Sequence, residues 1–212
     1  EVAIRTTPSG QERWRTRLPE PSDQFFVARA VVPAHDDGYV VAGTLSYPTE
    51  CDDGNIYVAK LREDGEIAWR NEIDLSFEDE ANDIVRTESG YALAGRICTG
   101  GTEQYNGLLL HLTEQGEGDW YRSYGGGEDD QLYALTRTDD GGFFLGGRAN
   151  SRENEYWLLK TTATGERQWS RAPVENGVAF GVAQTPAGEY VSAGLKKSWD
   201  LEPVLVNLGQ PD

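Results

Sequence analysis

The run Glu50-Cys51-Asp52-Asp53-Gly54-Asn55 places several hard oxygens close together. Calcium needs a set of such ligands, and Asp52, Asp53 and Asn55 would supply one. The run lacks the full spacing of an EF-hand loop, so a polar turn is the preferred reading and no cofactor is expected. The 36 acidic residues include enough carboxylates for the pair that a glycan-acting hydrolase or lyase would need. Their abundance, however, singles out no pair. His35 and His111 are the only histidines, and neither lies in a zinc motif or beside a nucleophile elbow. Residues 125–130, Gly-Gly-Gly-Glu-Asp-Asp, have the glycines of a phosphate loop without the following Lys-Ser/Thr or a helix to cradle phosphate. No residue is therefore assigned to catalysis.

The elements around these residues explain most of them. Residues 39–43 (YVVAG), 91–95 (YALAG), 143–147 (FFLGG) and 190–194 (YVSAG) share an aromatic start and a glycine end, with starts 52, 52 and 47 residues apart. In step with them, Gly10, Gly65, Gly116 and Gly165 each precede a tryptophan by four positions, at Trp14, Trp69, Trp120 and Trp169. Self-similarity at a period of about 50 residues marks a repeat architecture and overrides any motif read inside one copy. Each copy reads as four short strands, a to d. The a–b and c–d links carry the glycines of hairpin turns, and strand b is apolar on both faces, as in a sheet covered on both sides. The spacing predicts an all-β fold, a β-propeller of four-stranded antiparallel blades. About four blades are expected, with five as the alternative. A single domain over 1–212 would hold repeats at approximately 26–72, 79–124, 130–171 and 178–208, plus N-terminal strands in 1–17. The chain opens on c and d and ends on a, b and c, so velcro-type closure is expected, with the N-terminal d strand completing the last blade.

The stretches DDGYVVAG with IYVAKLREDGEIAW, and DDGGFFLGG with EYWLLKTTATGERQW, resemble the β-propeller repeats of bacterial and archaeal extracellular proteins. The resemblance runs from Val2 to Leu208; a likeness to kelch repeats is more distant, because the double glycine is complete only at Gly146-Gly147. It implies the fold strongly and function weakly, since such repeats serve as surface lipoproteins, adhesion modules and substrate-binding scaffolds.

In such a blade the b–c and d–a loops share one face, and here they are long and varied, which is where recognition usually sits on a rigid scaffold. Tyr47, Tyr105 and Trp199 are candidate stacking residues there, with Asp52, Asp53, Arg152, Lys196 and Lys197 as polar neighbours; the competing reading is that the aromatics cover the blade ends. Cys51 and Cys98 fall in b–c loops of consecutive repeats, so a Cys51–Cys98 disulfide is expected and would suit an extracellular location. His111 shares a strand-c column with Arg5, Lys60, Lys160 and Asn207, which reads as a recurring structural polar position.

The formal net charge of −17 argues against nucleic acid and anionic membrane surfaces as partners. Only four of the 19 basic residues are lysines, a composition similar to that of halophile proteins. No apolar run is long enough to span a membrane, and the absence of methionine suggests a processed segment, with an upstream lipid anchor compatible. The favoured reading is a non-enzymatic binding or assembly module on the surface of a halophilic prokaryote, with a protein or glycan ligand. The alternatives are a glycan-acting hydrolase or lyase and a structural subunit of a surface or particle assembly.

Overall fold

The computed structural model describes residues 1–18, 25–46, 54–100, 104–126, 129–150, 155–197 and 201–209. They form an all-β array of antiparallel sheets in chain order, with no helix among them. A two-stranded hairpin, β1 (Val2–Thr6) and β2 (Glu12–Arg17), comes first. Three four-stranded meanders follow. They are β3 (Phe25–Pro33), β4 (Tyr39–Ser46), β5 (Gly54–Leu61) and β6 (Ile67–Ile73); β7 (Asp79–Arg86), β8 (Gly90–Cys98), β9 (Tyr105–Thr113) and β10 (Gly118–Tyr124); and β11 (Gln131–Arg137), β12 (Phe143–Ala149), β13 (Glu155–Thr161) and β14 (Arg167–Val174). A three-stranded sheet, β15 (Gly177–Gln184), β16 (Tyr190–Lys197) and β17 (Leu201–Asn207), ends the array.

The c–d turns share one hydrogen-bond scheme. In the first, the Thr7 amide donates to the Gln11 carbonyl at 2.8 Å and the Gly10 amide to the Thr7 carbonyl at 2.9 Å. The pattern recurs at Arg62–Glu66, Thr113–Glu117 and Thr162–Glu166, with the glycine at positive φ each time. A left-handed residue is needed to reverse the chain there, and glycine adopts it without a Cβ clash.

The sheets stack face to face. Strand β7 lies against β3, β4 and β5; β11 lies against β7, β8 and β9; and β15 lies against β11, β12 and β13. Each junction has its own apolar core: Leu18, Phe26, Val41 and Tyr57 at the first, Val58, Ile84, Leu93 and Leu110 at the second, Leu109, Leu135, Leu145 and Leu159 at the third, and Phe144, Leu158, Ala179 and Tyr190 at the fourth. The b strands β4, β8 and β12 are buried on both faces because a neighbouring sheet covers each side, as the unbroken apolar runs implied.

The expected velcro pairing is not present, and no closed ring is seen. Among the described residues β2 pairs with β1 alone, and β17 pairs with β16 alone. Strand β17 fills the c position beside β16 as expected, but the d strand β2 does not add to its outer edge. The N-terminal hairpin instead packs on the β3–β6 sheet, where Trp14 Nε1 donates to the Glu63 carbonyl at 2.8 Å and Thr16 Oγ1 to the Gly65 carbonyl at 2.6 Å.

Candidate functional site

Strand a carries an irregularity at the same register in every sheet that has one. Residues Ala28, Ala81, Leu132 and Ala179 pair with Gly43, Gly95, Gly147 and Gly194; one residue is then skipped before pairing resumes. The extra residues are Arg29, Asn82, Tyr133 and Phe180. A bulge of this kind unpairs one residue and re-aims its side chain, and bulges are over-represented beside functional sites. The glycine opposite is a steric requirement. A Cβ at Gly43, Gly95, Gly147 or Gly194 would fall inside contact distance of the Val27, Glu80, Gln131 or Val178 carbonyl oxygen, respectively. This explains the glycine that closes each aromatic-to-glycine repeat.

Two of the bulged residues meet. Tyr133 lies between the buried Leu132 and Ala134, and its ring packs against Phe180, with centroids 5.3 Å apart. Phe180 is 52% exposed although Ala179 beside it is fully buried. Asn82 Nδ2 donates to the Leu132 carbonyl at 2.9 Å, which ties the second bulge to the third sheet.

Around Tyr133 the loop-side ends of the strands carry an alternating chain of charge. Arg96 on β8 bridges Glu78 Oε1 at 2.6 Å and Glu80 Oε1 at 2.8 Å, and its other terminal nitrogen lies 3.8 Å from Asp129 Oδ1. Arg148 on β12 pairs with the second oxygen of Asp129, and Gln131 Nε2 donates to Glu80 Oε2 at 3.1 Å. Tyr105 closes the cluster: its ring lies 4.1 Å below the Arg96 guanidinium, and its hydroxyl donates to Glu78. Burial would lower the Arg96 pKa, but Glu80 and Glu78 more than reverse this and raise it. Burial and then the Glu78 carboxylate push the Tyr105 phenol up, so it remains a donor. Asp79 and Asp130 cap the loops beneath. Asp79 accepts from the Leu75 and Ser76 amides at 2.6 and 2.9 Å, and Asp130 from those of Gly126 and Asn150 at 3.1 and 2.8 Å.

Tyr105 and Cys98, both expected on this face, are register partners across β8 and β9. Lys196 lies on the last sheet opposite Glu202, followed by Lys197, and the amide of Asn55 donates to Glu72 at 2.7 Å on the first four-stranded sheet. Tyr47, Cys51, Asp52, Asp53, Arg152 and Trp199 lie outside the described residues. The arginines and their acids were not anticipated, although a signal exists: Arg96 and Arg148 each follow the repeat glycine, and Glu78 and Asp129 each stand three residues before the residue paired with it.

Among the described residues, His111, Asp79 and Asp83 combine burial with acid–base chemistry, and each is engaged by neighbours. His111 Nδ1 is 3.0 Å from Asp119 Oδ2, and its Nε2 is 3.4 Å from Ser89 Oγ, the order of a hydrolytic triad. Thr87 Oγ1, at 3.2 Å, is nearer, and the imidazole is stacked on Trp120 and only 6% exposed. The same column holds Lys60 with Asp36 and Lys160 with Asp140, so this is a pin between strand c and the neighbouring turns. Burial raises the pKa values of Asp79 and Asp83, but both carboxylates accept backbone amides. Among the described residues no three histidine, cysteine or carboxylate side chains converge on a metal-sized position. On the opposite, turn face, a cleft of about 880 Å³ between Trp14 and Trp69 is lined by Arg5, Lys60, Asp36 and Glu63, which pair with one another as Arg5–Glu63 and Lys60–Asp36.

Comparison of the sequence with protein families and with curated proteins finds no match. In fold, the chain is similar to a solved protein of unknown function from Bacteroides caccae, with a TM-score of 0.62 and 12% identity over 98% of this chain and 71% of that one. At that identity the likeness concerns fold alone.

Proposed function

We propose that the sheets are blades of a β-propeller and that the protein is a non-enzymatic extracellular module that binds a protein or glycan on its b–c/d–a loop face. The bulge carries this reading. One backbone geometry, repeated from sheet to sheet, presents four chemically different side chains, Arg29, Asn82, Tyr133 and Phe180. A repeated scaffold with a varied side chain at one position is how a rigid fold acquires specificity. Tyr133 and Phe180 offer ring faces to a sugar or an apolar side chain, and Arg148 and Asp129 beside them offer directional hydrogen bonds.

An oligosaccharide panel, screened with labelled protein and followed by titration of any hit, tests the proposal. Replacing both Tyr133 and Phe180 by alanine should weaken binding about tenfold or more, or 1.4 kcal/mol. Unchanged affinity in that variant would remove the loop face from the account. Turnover of a panel sugar, or of an activated ester in a manner abolished by Ser89→Ala, would instead place the protein among the enzymes.

A further inference from the structure

Hydrogen-bonding capacity is left unused at one place on the loop side. Among the described residues five buried side-chain polar atoms have no hydrogen-bond partner, and three of them, Arg96 Nε, Arg148 Nε and Asp129 Oδ1, belong to the ion cluster around Tyr133. Folded proteins leave few such atoms, so three together call for a physical account. Two of the three are donors, because the two guanidiniums bring more N–H groups than the acceptors of the cluster can serve. The surplus extends outward. Among the described residues the Tyr133 hydroxyl has no hydrogen-bond partner, and Arg148, 24% exposed, donates to Asp129 alone, which leaves its second terminal nitrogen free. Burial raises the pKa of the Tyr133 phenol, so it remains a donor, and the charges that act on it are those of Arg148, Asp129, Arg96 and Glu80. The cluster stands between the β7–β10 and β11–β14 sheets, each of which has a further sheet packed on its other face.

Two requirements select what can sit there. The ligand must accept hydrogen bonds, which an ammonium or guanidinium group cannot do. It must also carry no negative charge. Arg96 and Arg148 against Glu78, Glu80 and Asp129 set two formal positive charges against three negative ones, on a chain whose net charge is −17, so a carboxylate or sulfate brought to the cluster is repelled. We propose that the ligand of the loop face is an uncharged oligosaccharide, one pyranose lying on the Tyr133 ring while its hydroxyl or acetamido oxygens accept from the Tyr133 hydroxyl and the free terminal nitrogen of Arg148. The inference rests on the loop-face reading above and narrows it. A sugar has an apolar ring face for the tyrosine, which Phe180 backs with centroids 5.3 Å apart, and an edge of neutral oxygens for the donors. A cation leaves those donors unserved, and an anion serves them only against the charge of the cluster and of the whole chain.

Titration calorimetry of the intact chain with oligosaccharides matched in backbone and differing in charge supplies the test, at the lowest NaCl concentration that leaves the circular dichroism spectrum intact. The probes are an oligogalacturonide and its methyl ester, a mannuronate oligomer and the corresponding mannan, and a chitin oligomer with its deacetylated, cationic form. A neutral member should bind about tenfold or more tightly than its charged counterpart. Tighter binding of a charged member overturns the inference; if that binding is lost when Tyr133 and Phe180 are both replaced by alanine, the loop-face reading itself stands. No binding of any probe also overturns the inference and leaves a protein as the partner in that reading. Tyr133→Phe keeps the ring and removes only the hydroxyl, so it should weaken the neutral sugar about three- to tenfold with an unchanged circular dichroism spectrum. Unchanged affinity in this variant overturns the assignment of the phenol as a donor to the ligand.

Discussion

Lys160 is a buried cation that the fold accommodates by surrounding it with acceptors. Its three N–H groups are shared among four acceptors, one of them forked between the two oxygens of Asp140 at 3.0 and 2.8 Å, with Gln168 Oε1 at 3.0 Å and the Thr161 carbonyl at 2.8 Å. Burial alone would raise the Asp140 pKa, but Lys160, the Thr138 hydroxyl and the Gly142 amide outweigh it and hold the group at about 2. A depressed carboxylate pKa contributes stability above the unfolded value of 3.8, and this is lost as pH falls towards the folded one. Asp140→Asn should therefore flatten the fall in melting temperature between about pH 4 and pH 2, while lowering stability at neutral pH. A profile as steep as that of the unmodified protein would show that other carboxylates govern the acid limb. The repeat glycines make a second test at this scale. Gly147→Ala drives a Cβ into the Gln131 carbonyl and should cost about 2 kcal/mol or more, measured by urea denaturation, whereas Gly181→Ala meets open space and should remain within about 0.5 kcal/mol.

Neighbouring sheets are coupled through the tryptophan of one and the turn glycine of the next. A Cβ on Gly65 would lie 2.7 Å from the Trp14 ring and one on Gly165 2.8 Å from that of Trp120, while Gly116 abuts Trp69 in the same way. Gly65, Gly116 and Gly165 thus each serve two sheets: each turns its own hairpin and seats the preceding repeat's indole. Gly116→Ala violates both roles, since its φ is +75° and its Cβ direction is filled by Trp69. It should lower the melting temperature more than Gly10→Ala, which has a similar φ of +83° and an open Cβ direction. Equal losses would mean that the turn alone matters. Truncation within an inter-sheet core has the usual large effect, so Leu109→Ala should cost about 2–5 kcal/mol by denaturant titration.

For the whole molecule, a net charge of −17 opposes compaction unless salt screens it. Raising NaCl from about 0.05 M towards 1 M shortens the screening length severalfold and should raise the melting temperature, with strand signal lost first at low salt in far-UV circular dichroism. Full stability without added salt would sink the halophilic reading.

Strand positions, turn types and the succession of four-stranded units were legible in the sequence because they are local. The aromatic-to-glycine runs mark strand b, and the glycine four residues before each tryptophan marks the c–d turn. The sequence singles out Tyr105 as a loop aromatic; the structure places it in strand β9, opposite Cys98. Its use was not legible, because Arg96 and Glu78 reach it across neighbouring strands of one sheet, and Asp129 joins them only when the next sheet stacks. The bulges that carry the half-buried Tyr133 and the exposed Phe180 are defects in pairing, visible only once both strands of a pair are in place. Closure was likewise a matter of tertiary structure. Counting strands suggested that β2 would complete the last sheet beside β17, but β2 stays paired with β1, and Trp14 and Leu18 pack on the β3–β6 sheet. Local chemistry determined which segments become strands and turns; the burial of Trp14 and Leu18 against the neighbouring sheet, a contact between distant segments that no local pattern records, decided where the N-terminal hairpin goes.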